Sequence, residues 1–199
     1  MKKIPFVTGE YYHLYNRGVE KRDLFINDLD RARFVHSLVI FNTRKLHSSS
    51  ASKLSCLLPY KDPLVEIVSF CLMNNHYHIL AKQCIDGGIS KFFSRLGDGY
   101  TKYFNIKYNR SGRLFENTFK STRIKTNGQL LVTTNYIHRN PLKLPEIQGA
   151  FNQLEKYTWS SLPNYINDLN NPHIHADVIL DQFRNRSDYW QFLRAHPNP

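Results

Sequence analysis

The order of the predicted elements indicates an α+β fold, in which an antiparallel sheet is covered on one face by helices. Runs of alternating or β-branched residues predict four strands, and apolar residues three and four positions apart predict helices around them. Two of the strands are separated only by an Asn-Asn pair, which predicts a hairpin. With 199 residues, the chain is long enough for one domain with a substantial core.

Each strand is predicted from its own pattern. The strands are expected at 10–19, 65–73, 76–82 and 118–126. The first alternates and ends at Asn-Arg-Gly, the second is apolar and β-branched, and the fourth alternates again. A Ser-rich segment at 47–55 predicts a polar loop before the second strand.

The helices follow from apolar spacing and from residues that begin or end a helix. They are expected at 28–47, 89–109 and 129–140, with one or two more over 177–196. Asp28 or Asp30 can cap the first helix. Gly97 and Gly99 leave open whether the second helix is continuous. Pro141 stops the third helix, and the segment that follows is predicted to be loops between short helices.

The composition is that of an ordinary globular protein, with 41% hydrophobic and 22% charged residues. No apolar run approaches the ~20 residues needed to span a bilayer, and the N-terminal segment lacks the apolar part of a secretory signal. We therefore expect a cytoplasmic protein without membrane association. Cys56, Cys71 and Cys84 are odd in number and far apart, which predicts buried reduced thiols rather than disulfides or a zinc knuckle.

The net charge of +11 is spread along the chain rather than concentrated in one block. Neutralising phosphates releases counterions, so this charge indicates a polyanionic partner. Aromatic residues make up 14% of the chain and are interleaved with the basic residues. This combination suits single-stranded nucleic acid, whose bases can stack on aromatic rings, although most of these rings are expected to lie in the core.

A His-x-His pair follows the predicted hairpin turn. Alternate residues of a strand point to the same side, so His76 and His78 share one face and Tyr77 points to the other. Two imidazoles can hold one metal ion if a third ligand comes from elsewhere, with positions left open for water and phosphate. The alternative is that both lie on the solvent face of an edge strand. His173 and His175 have the same spacing without a predicted strand, so we expect them at the surface or as a helix cap.

The third predicted helix carries a candidate nucleophile. Residues four apart lie on one helical face, so Tyr136 and Asn140 are neighbours at the end of this helix. A phenol has a pKa of about 10 and attacks poorly at neutral pH, but orientation beside a metal-bound phosphate can compensate. Tyr136 can equally be a half-buried packing residue, and Tyr100, Tyr103 and Tyr108 are competing nucleophiles.

Four motifs occur in order along the chain: YHLYNRGVEKRDLF, MNNHYHIL, YTKYFNIKYNRSGRLFENTFKS and NYIHRNPLK. With these motifs, the chain resembles the single-tyrosine HUH transposases of the insertion-sequence type, and it is particularly similar to the REP-associated tyrosine transposases. The motifs lie within about residues 10–145. We therefore expect an HUH single-tyrosine nuclease domain over 1–145 and a helical extension over 146–199, packed on the same domain.

The resemblance implies a palm-like antiparallel sheet of the ferredoxin or RRM type, with helices on one face and further C-terminal helices. It implies that Tyr136 is the nucleophile and that His76 and His78 bind a divalent metal, Mg²⁺ or Mn²⁺. It also implies that Asn140 is a polar third ligand, at a position where some family members have glutamine.

The implied reaction is a transesterification, in which the tyrosine attacks a DNA phosphate, forms a 5′-phosphotyrosine and releases a 3′-OH. The expected partner is single-stranded or hairpin DNA in a prokaryotic nucleoid. Relatives act as monomers or dimers, so a homodimer stays open. The candidate DNA-binding side chains are Arg17, Lys102, Arg110, Arg113, Lys120 and Arg123.

Two other functional classes fit parts of the pattern. A non-catalytic α+β module could bind nucleic acid such as RNA, but the strand face that would carry rings for base stacking carries His76 and His78 instead. A metal-dependent nuclease would use water in place of the tyrosine. Only the tyrosine enzyme leaves a covalent protein–DNA adduct, so covalent capture distinguishes the three.

Overall fold

The computed structural model describes residues 5–44, 62–147, 149–167, 169 and 171–196. Four strands form one sheet: β1 (Tyr11–Arg17), β2 (Val65–Met73), β3 (His76–Gln83) and β4 (Lys120–Ile124). They lie in the order β2-β3-β1-β4, and each neighbouring pair is antiparallel. The predicted α+β class is therefore confirmed, and the predicted hairpin joins β2 to β3.

The described residues also form six α-helices. These are α1 (Asp28–Ile40), α2 (Gly88–Lys107), α3 (Asn127–Arg139), α4 (Leu162–Ile166), α5 (Asp177–Leu180) and α6 (Arg186–Ala195). Short 3-10 helices lie at Val19–Lys21, Asn140–Lys143 and Phe151–Lys156. None of the described helices has the length and apolar character needed to cross a membrane.

Helix α1 differs from its prediction at both ends. The Asn27 side chain accepts the backbone N–H of Asp30, and the Asp30 carboxylate accepts that of Asn27, so the N-cap residue is Asn27 rather than Asp28 or Asp30, and Asp30 completes the capping box. The helix ends at Ile40, because the Asn42 side chain turns inward and bonds the backbone at the start of β2. The apolar spacing beyond residue 40 therefore does not continue the helix.

Helix α2 is continuous through both of its internal glycines. A Cβ at Gly99 would lie 2.5 Å from the Phe41 ring, so the glycine lets this ring pack against the helix. A helical glycine costs about 1 kcal/mol relative to alanine. That cost is offset by the burial of α2, whose Phe92 and Tyr100 are fully enclosed.

Helices cover both faces of the sheet. Tyr77 and Ile79 of β3 point to the face that α1 and α2 cover, as expected for the predicted layer. Leu80 points to the opposite face, where α3 and the C-terminal helices pack. His76 and His78 alternate with Tyr77, so they lie on the side of α3. The element order predicted helices on one face of the sheet, and the structure has a second layer of helices on the other face.

The segment after α3 runs along the outer edge of β2. An edge strand otherwise presents free N–H and C=O groups. Helices α3 to α6 share one buried apolar cluster with the sheet. Backbone hydrogen bonds join Phe70 to Ser161, Leu72 to Trp159 and Ile67 to His175. The boundary expected at residue 145, between the nuclease domain and the helical extension, stays a prediction.

The cysteines in the described part of the chain are free thiols. Cys71 is fully buried on β2, and Cys84 is half-buried after β3. Cys56 and the predicted Ser-rich loop lie outside the described residues.

Candidate functional site

The β2–β3 hairpin aims the two histidines of the first pair at one side of the sheet. Met73 pairs with His76 across the Asn74-Asn75 turn, and the strand alternation puts His78 on the same face. The two ring centroids are 5.1 Å apart, with the ring planes nearly perpendicular at 88°. The side-by-side arrangement predicted from the spacing is thus present.

The loop after β1 supports this turn. Gly18 N–H donates to the Asn75 carbonyl at 2.9 Å, and Leu24 N–H donates to the Asn74 carbonyl at 2.8 Å. A Cβ at Gly18 would lie 2.2 Å from the Arg22 carbonyl oxygen, so this position requires glycine. Two motifs that are some fifty residues apart in the sequence therefore meet at the turn that precedes the histidines.

The turn also orients the His76 ring. The Asn75 amide nitrogen donates to the Lys21 carbonyl at 3.1 Å, so its Oδ1 faces the imidazole. His76 Nδ1 lies 2.7 Å from that Oδ1 and must carry the hydrogen, since an amide oxygen only accepts. The His76 Nε2 is left with a lone pair.

A third imidazole belongs to the same group of rings. His13 of β1 lies diagonally across from His78, with His13 Nε2 2.9 Å from His78 Nδ1. The ring centroids of the two are 5.0 Å apart. Tyr15, directly opposite His78 in the register, stands 5.6 Å from it. Sequence analysis did not select His13 or Tyr15, although their period-two spacing places them on one face.

Burial keeps these three imidazoles neutral. Burial and then the charge of Arg17 lower the pKa of His76 to about 4. Burial and then neighbouring rings and cations, including Lys143, lower the pKa of His78 to about 2. Burial lowers the pKa of His13 to about 4. At neutral pH all three are uncharged, which is the state in which imidazole binds a metal ion.

Helix α3 places the candidate nucleophile against this group. The helix begins at a Thr126 cap and packs on β2 and β3. Its half-buried Tyr136 ring stands edge-on to His78, with 5.2 Å between centroids, and 5.9 Å from His13. The neighbouring Ile137 and His138 are fully buried.

The predicted third ligand, Asn140, follows α3 and is 1% exposed. Its side chain lies against the His76 ring closely enough to raise the pKa of that ring, against the stronger effect of burial. No described residue donates a well-formed hydrogen bond to its Oδ1. Within the described ranges, no cluster of three or more His, Cys, Asp or Glu side chains could hold a metal. The buried Asn140 oxygen beside the His76 ring is therefore an atom that could join the two histidines in holding a metal.

His76, His78 and Tyr136 line a cavity of about 240 Å³. Arg17 and Lys120 bring two positive charges to its wall, and Glu116 brings one negative charge. The resulting net positive charge beside neutral imidazoles suits a phosphate group. A more open groove of about 990 Å³ lies among the C-terminal helices and contains none of these residues. The cavity is lined by Tyr15, Asn16, Arg17, His76, His78, Glu116, Lys120 and Tyr136.

A cation that sequence analysis missed contacts the tyrosine. Lys143 lies in the 3-10 helix after α3, with its Nζ over the Tyr136 ring at 5.2 Å from the centroid. The signal for it was the last residue of the NYIHRNPLK motif, seven positions after the tyrosine. Residues seven positions apart lie on the same side only if the helix is continuous. Pro141 lies between Tyr136 and Lys143, so the sequence did not indicate that the two side chains would meet.

The six predicted DNA-binding side chains do not form one surface. Arg17 and Lys120 line the cavity. Arg123 is on β4 and pairs with Glu10 at 3.0 Å. The edge strand that carries Lys120 and Arg123 is exposed along most of its length.

The other three predicted basic residues lie in or after α2. Arg110 donates to Asn105 at 2.5 Å and to the Arg113 carbonyl at 3.2 Å, so it holds the turn after α2 together. Lys102 and Arg113 are exposed. Because α2 covers the sheet face opposite the histidines, Lys102 is remote from the cavity.

The competing tyrosines have structural roles on the α1–α2 side of the sheet. Tyr100 is fully buried and donates to the Leu24 carbonyl at 2.6 Å, and burial raises its pKa far above the usual range. Tyr103 and Tyr108 donate to the buried Asp30 carboxylate at 3.0 and 2.7 Å. Of the candidate tyrosines, Tyr136 on α3 is therefore the one that lies next to the histidines.

The second His-x-His pair is not where it was expected. His173 is buried, at 4% exposure, and is not a surface residue. The intervening Ile174 forms a parallel bridge to Ile67 at the edge of β2. The residue that caps α5 is Ala176. The expectation of a surface or capping role is therefore wrong, because a long-range strand contact orders this segment.

Comparison with known proteins agrees with the motifs and the fold. The family model described as "Transposase IS200 like" matches residues 59–140, so the resemblance inferred from the motifs is confirmed. No curated protein matches the chain. The chain is similar in fold to a solved structure of a REP-associated tyrosine transposase bound to a REP hairpin, with a TM-score of 0.58 and 14% identity. That similarity covers 89% of this chain and 92% of the other.

Proposed function

We propose that this protein is a metal-dependent single-stranded DNA endonuclease and strand transferase of the transposase type, acting through a 5′-phosphotyrosine on Tyr136. The observation that carries the proposal is that the Tyr136 ring lies 5.2 Å from His78, on one cavity with the neutral His76 and His78. The similarity of residues 59–140 to the IS200-like transposases supports a DNA-processing reaction.

The side chains present fit a divalent cation. His76 and His78 would hold it through Nε2, and Asn140 through the buried Oδ1 that receives no well-formed hydrogen bond from the described residues. The amide oxygen, water and the phosphate oxygens of the substrate are ligands that Mg²⁺ and Mn²⁺ prefer, and the two imidazoles add nitrogen ligands to them. When bound, the cation neutralises and polarises the scissile phosphate.

Tyr136 supplies the attacking oxygen. A bond forms from this oxygen to phosphorus while the bond from phosphorus to the 3′ oxygen breaks. The phenolic proton passes to water, and the leaving oxygen takes up a proton as a 3′-OH. The positive charges of Lys143 and Arg17 stabilise the negative charge that develops during attack. A second 3′-OH can attack the phosphotyrosine and rejoin DNA without ATP, because the phosphoester is conserved.

We propose single-stranded or hairpin DNA as the substrate. A cavity of about 240 Å³ has room for a phosphate group, which supports a single strand at the point of cleavage. The solved protein of similar fold is bound to a REP hairpin, which supports a hairpin beside the cleaved strand. The net charge of +11 supports a polyanionic partner.

Covalent capture tests the nucleophile. Labelled single-stranded DNA should form a denaturation-resistant adduct with the protein, and Tyr136→Phe should abolish the adduct while retaining DNA binding, because the ring and its packing remain. The matched control is Tyr15→Phe, which removes the hydroxyl of the other tyrosine on the same cavity and should still form the adduct. An adduct that persists in Tyr136→Phe and disappears in Tyr15→Phe would assign the nucleophile to β1.

Metal dependence is tested on the same reaction. His76→Ala and EDTA should each stop cleavage, and added Mn²⁺ or Mg²⁺ should restore only the unmutated protein. Cleavage that continues without an adduct in both Tyr136→Phe and the unmutated protein would indicate a water-using nuclease. DNA binding without any cleavage under all these conditions would indicate a non-catalytic module.

A further inference from the structure

The hydrogen bond between His13 and His78 has a defined direction if His78 is a metal ligand. One ring nitrogen must donate and the other accept across the 2.9 Å between His13 Nε2 and His78 Nδ1. His78 can offer Nε2 to a cation only if Nε2 carries no hydrogen. In that tautomer the hydrogen is on Nδ1, so His78 donates and His13 accepts.

We propose that His13 is a positioning residue that fixes the tautomer and ring angle of His78, so that His78 Nε2 faces the cavity as a lone pair. The inference rests on the metal site of the proposed function. His76 has an equivalent partner, since its Nδ1 lies 2.7 Å from Asn75 Oδ1. Metal-binding histidines commonly donate their second ring N–H to an acceptor, which orients the ring and raises its basicity.

His13 does not serve as a ligand itself. Its Nε2 is occupied by His78, and no three His, Cys, Asp or Glu side chains of the described segments could hold one ion. The backbone supports the positioning role, because β1 pairs with β3 over seven residue pairs and this register holds His13 diagonal to His78. His13 is also edge-on to the Tyr136 ring, at 5.9 Å between centroids. A substitution must therefore keep a ring-like volume there.

Metal affinity tests the inference without DNA or catalysis. Mn²⁺ binding to the metal-free full chain is measured by the electron paramagnetic resonance of free Mn²⁺. His13→Phe keeps the volume beside Tyr136 but removes the acceptor, and we expect about 10- to 100-fold weaker Mn²⁺ binding. His13→Gln offers an amide oxygen as acceptor, and we expect it to recover most of the affinity.

The tautomer of His78 gives a second, metal-independent measurement. In ¹⁵N imidazole spectra of the metal-free protein, we expect His78 as the Nδ1–H form in the unmutated chain and in His13→Gln. In His13→Phe we expect a substantial Nε2–H population. Unchanged Mn²⁺ affinity in His13→Phe, or a His78 tautomer that does not respond, would overturn the inference.

The two levels of the proposal fail differently. If the unmutated protein binds no Mn²⁺, the metal site of the proposed function is wrong. The tautomer measurement then still decides whether His13 orients His78. If the unmutated protein binds Mn²⁺ and His13→Phe binds it equally, only the positioning role is wrong. Circular dichroism of each variant identifies a loss of folding, and His13→Gln then carries the test.

Discussion

At the scale of single residues, the positive charges of Arg17 and Lys143 act on both the expected DNA and the histidines. Arg17 and Lys143 would attract DNA, and the same charges lower the pKa of His78 after burial and the neighbouring imidazoles have done so. A histidine must be neutral to bind a metal ion. Cations that discourage protonation of His78 therefore keep it able to bind one.

Lys143 provides a prediction at this scale. Its Nζ lies 5.2 Å from the centre of the Tyr136 ring, where it would stabilise both a phenolate and the attacked phosphate. We expect Lys143→Met to slow single-turnover cleavage by at least about tenfold, by analogy with the loss of a charge-stabilising group. Lys156→Met, which removes an exposed charge that does not line the cavity, is the control. Equal rates for the two variants would exclude a role for Lys143.

At the scale of elements, the C-terminal segment fixes helix α3 through hydrogen bonds to His138 and Arg139. The buried His138 ring is bonded on both nitrogens, by Tyr189 of α6 at 2.6 Å and by Ser161 at 2.8 Å. Arg139 donates to the Leu193 carbonyl of α6. Because His138 lies two residues from Tyr136, these contacts set the orientation in which the helix presents its tyrosine to the histidines.

Removing the Tyr189 hydroxyl deletes the hydrogen bond that joins α6 to α3. Tyr189→Phe leaves His138 Nδ1 buried without its partner, and we expect the free energy of unfolding to fall by about 1–3 kcal/mol. Urea denaturation measures this change. The control is Tyr11→Phe, since the described residues make no hydrogen bond to the Tyr11 hydroxyl, and a change within about 0.5 kcal/mol is expected there. Equal effects would show that the bond to His138 adds nothing.

At the scale of the molecule, the C-terminal segment completes both the edge and one face of the sheet. It hydrogen-bonds the outer edge of β2 and shares a buried apolar cluster with α3 and the sheet. Uncovering these surfaces would expose a strand edge and a large apolar area together, which favours aggregation. We therefore expect the motif-bearing part of the chain to depend on the extension for its stability.

Truncation tests this dependence. A chain ending at Pro145 should be aggregated or unfolded by size-exclusion chromatography and far-ultraviolet circular dichroism, because α3 loses the partners of Ile137 and His138. The full chain under identical conditions is the reference. A truncated protein that unfolds cooperatively at the temperature of the full chain would instead make residues 1–145 an independent domain.

The overall charge gives a second prediction at this scale. With a net charge of +11, DNA binding should weaken steeply as salt rises. For ~5 phosphate contacts on a single strand, the slope of log K against log salt is expected to be about −3.5. Fluorescence anisotropy of labelled single-stranded DNA measures it. A flat dependence would contradict phosphate recognition as the main source of affinity.

Local patterns in the sequence determined the class of fold and the faces of its elements. The period-two alternation of β3 placed His76 and His78 on one side, and the Asn-Asn pair predicted the hairpin. The helical spacing brought Tyr136 and Asn140 together at the end of α3. These predictions were possible because strand alternation and helical periodicity are properties of the backbone that act over a few residues.

The tertiary structure alone decided which elements meet. The strand order β2-β3-β1-β4 brings His13 beside His78, and α3 crosses the face that carries both. Long-range contacts with the edge of β2 also order the second histidine pair, against the local pattern. No local pattern encodes these outcomes, because they depend on which apolar faces bury each other most completely, a property of the whole chain.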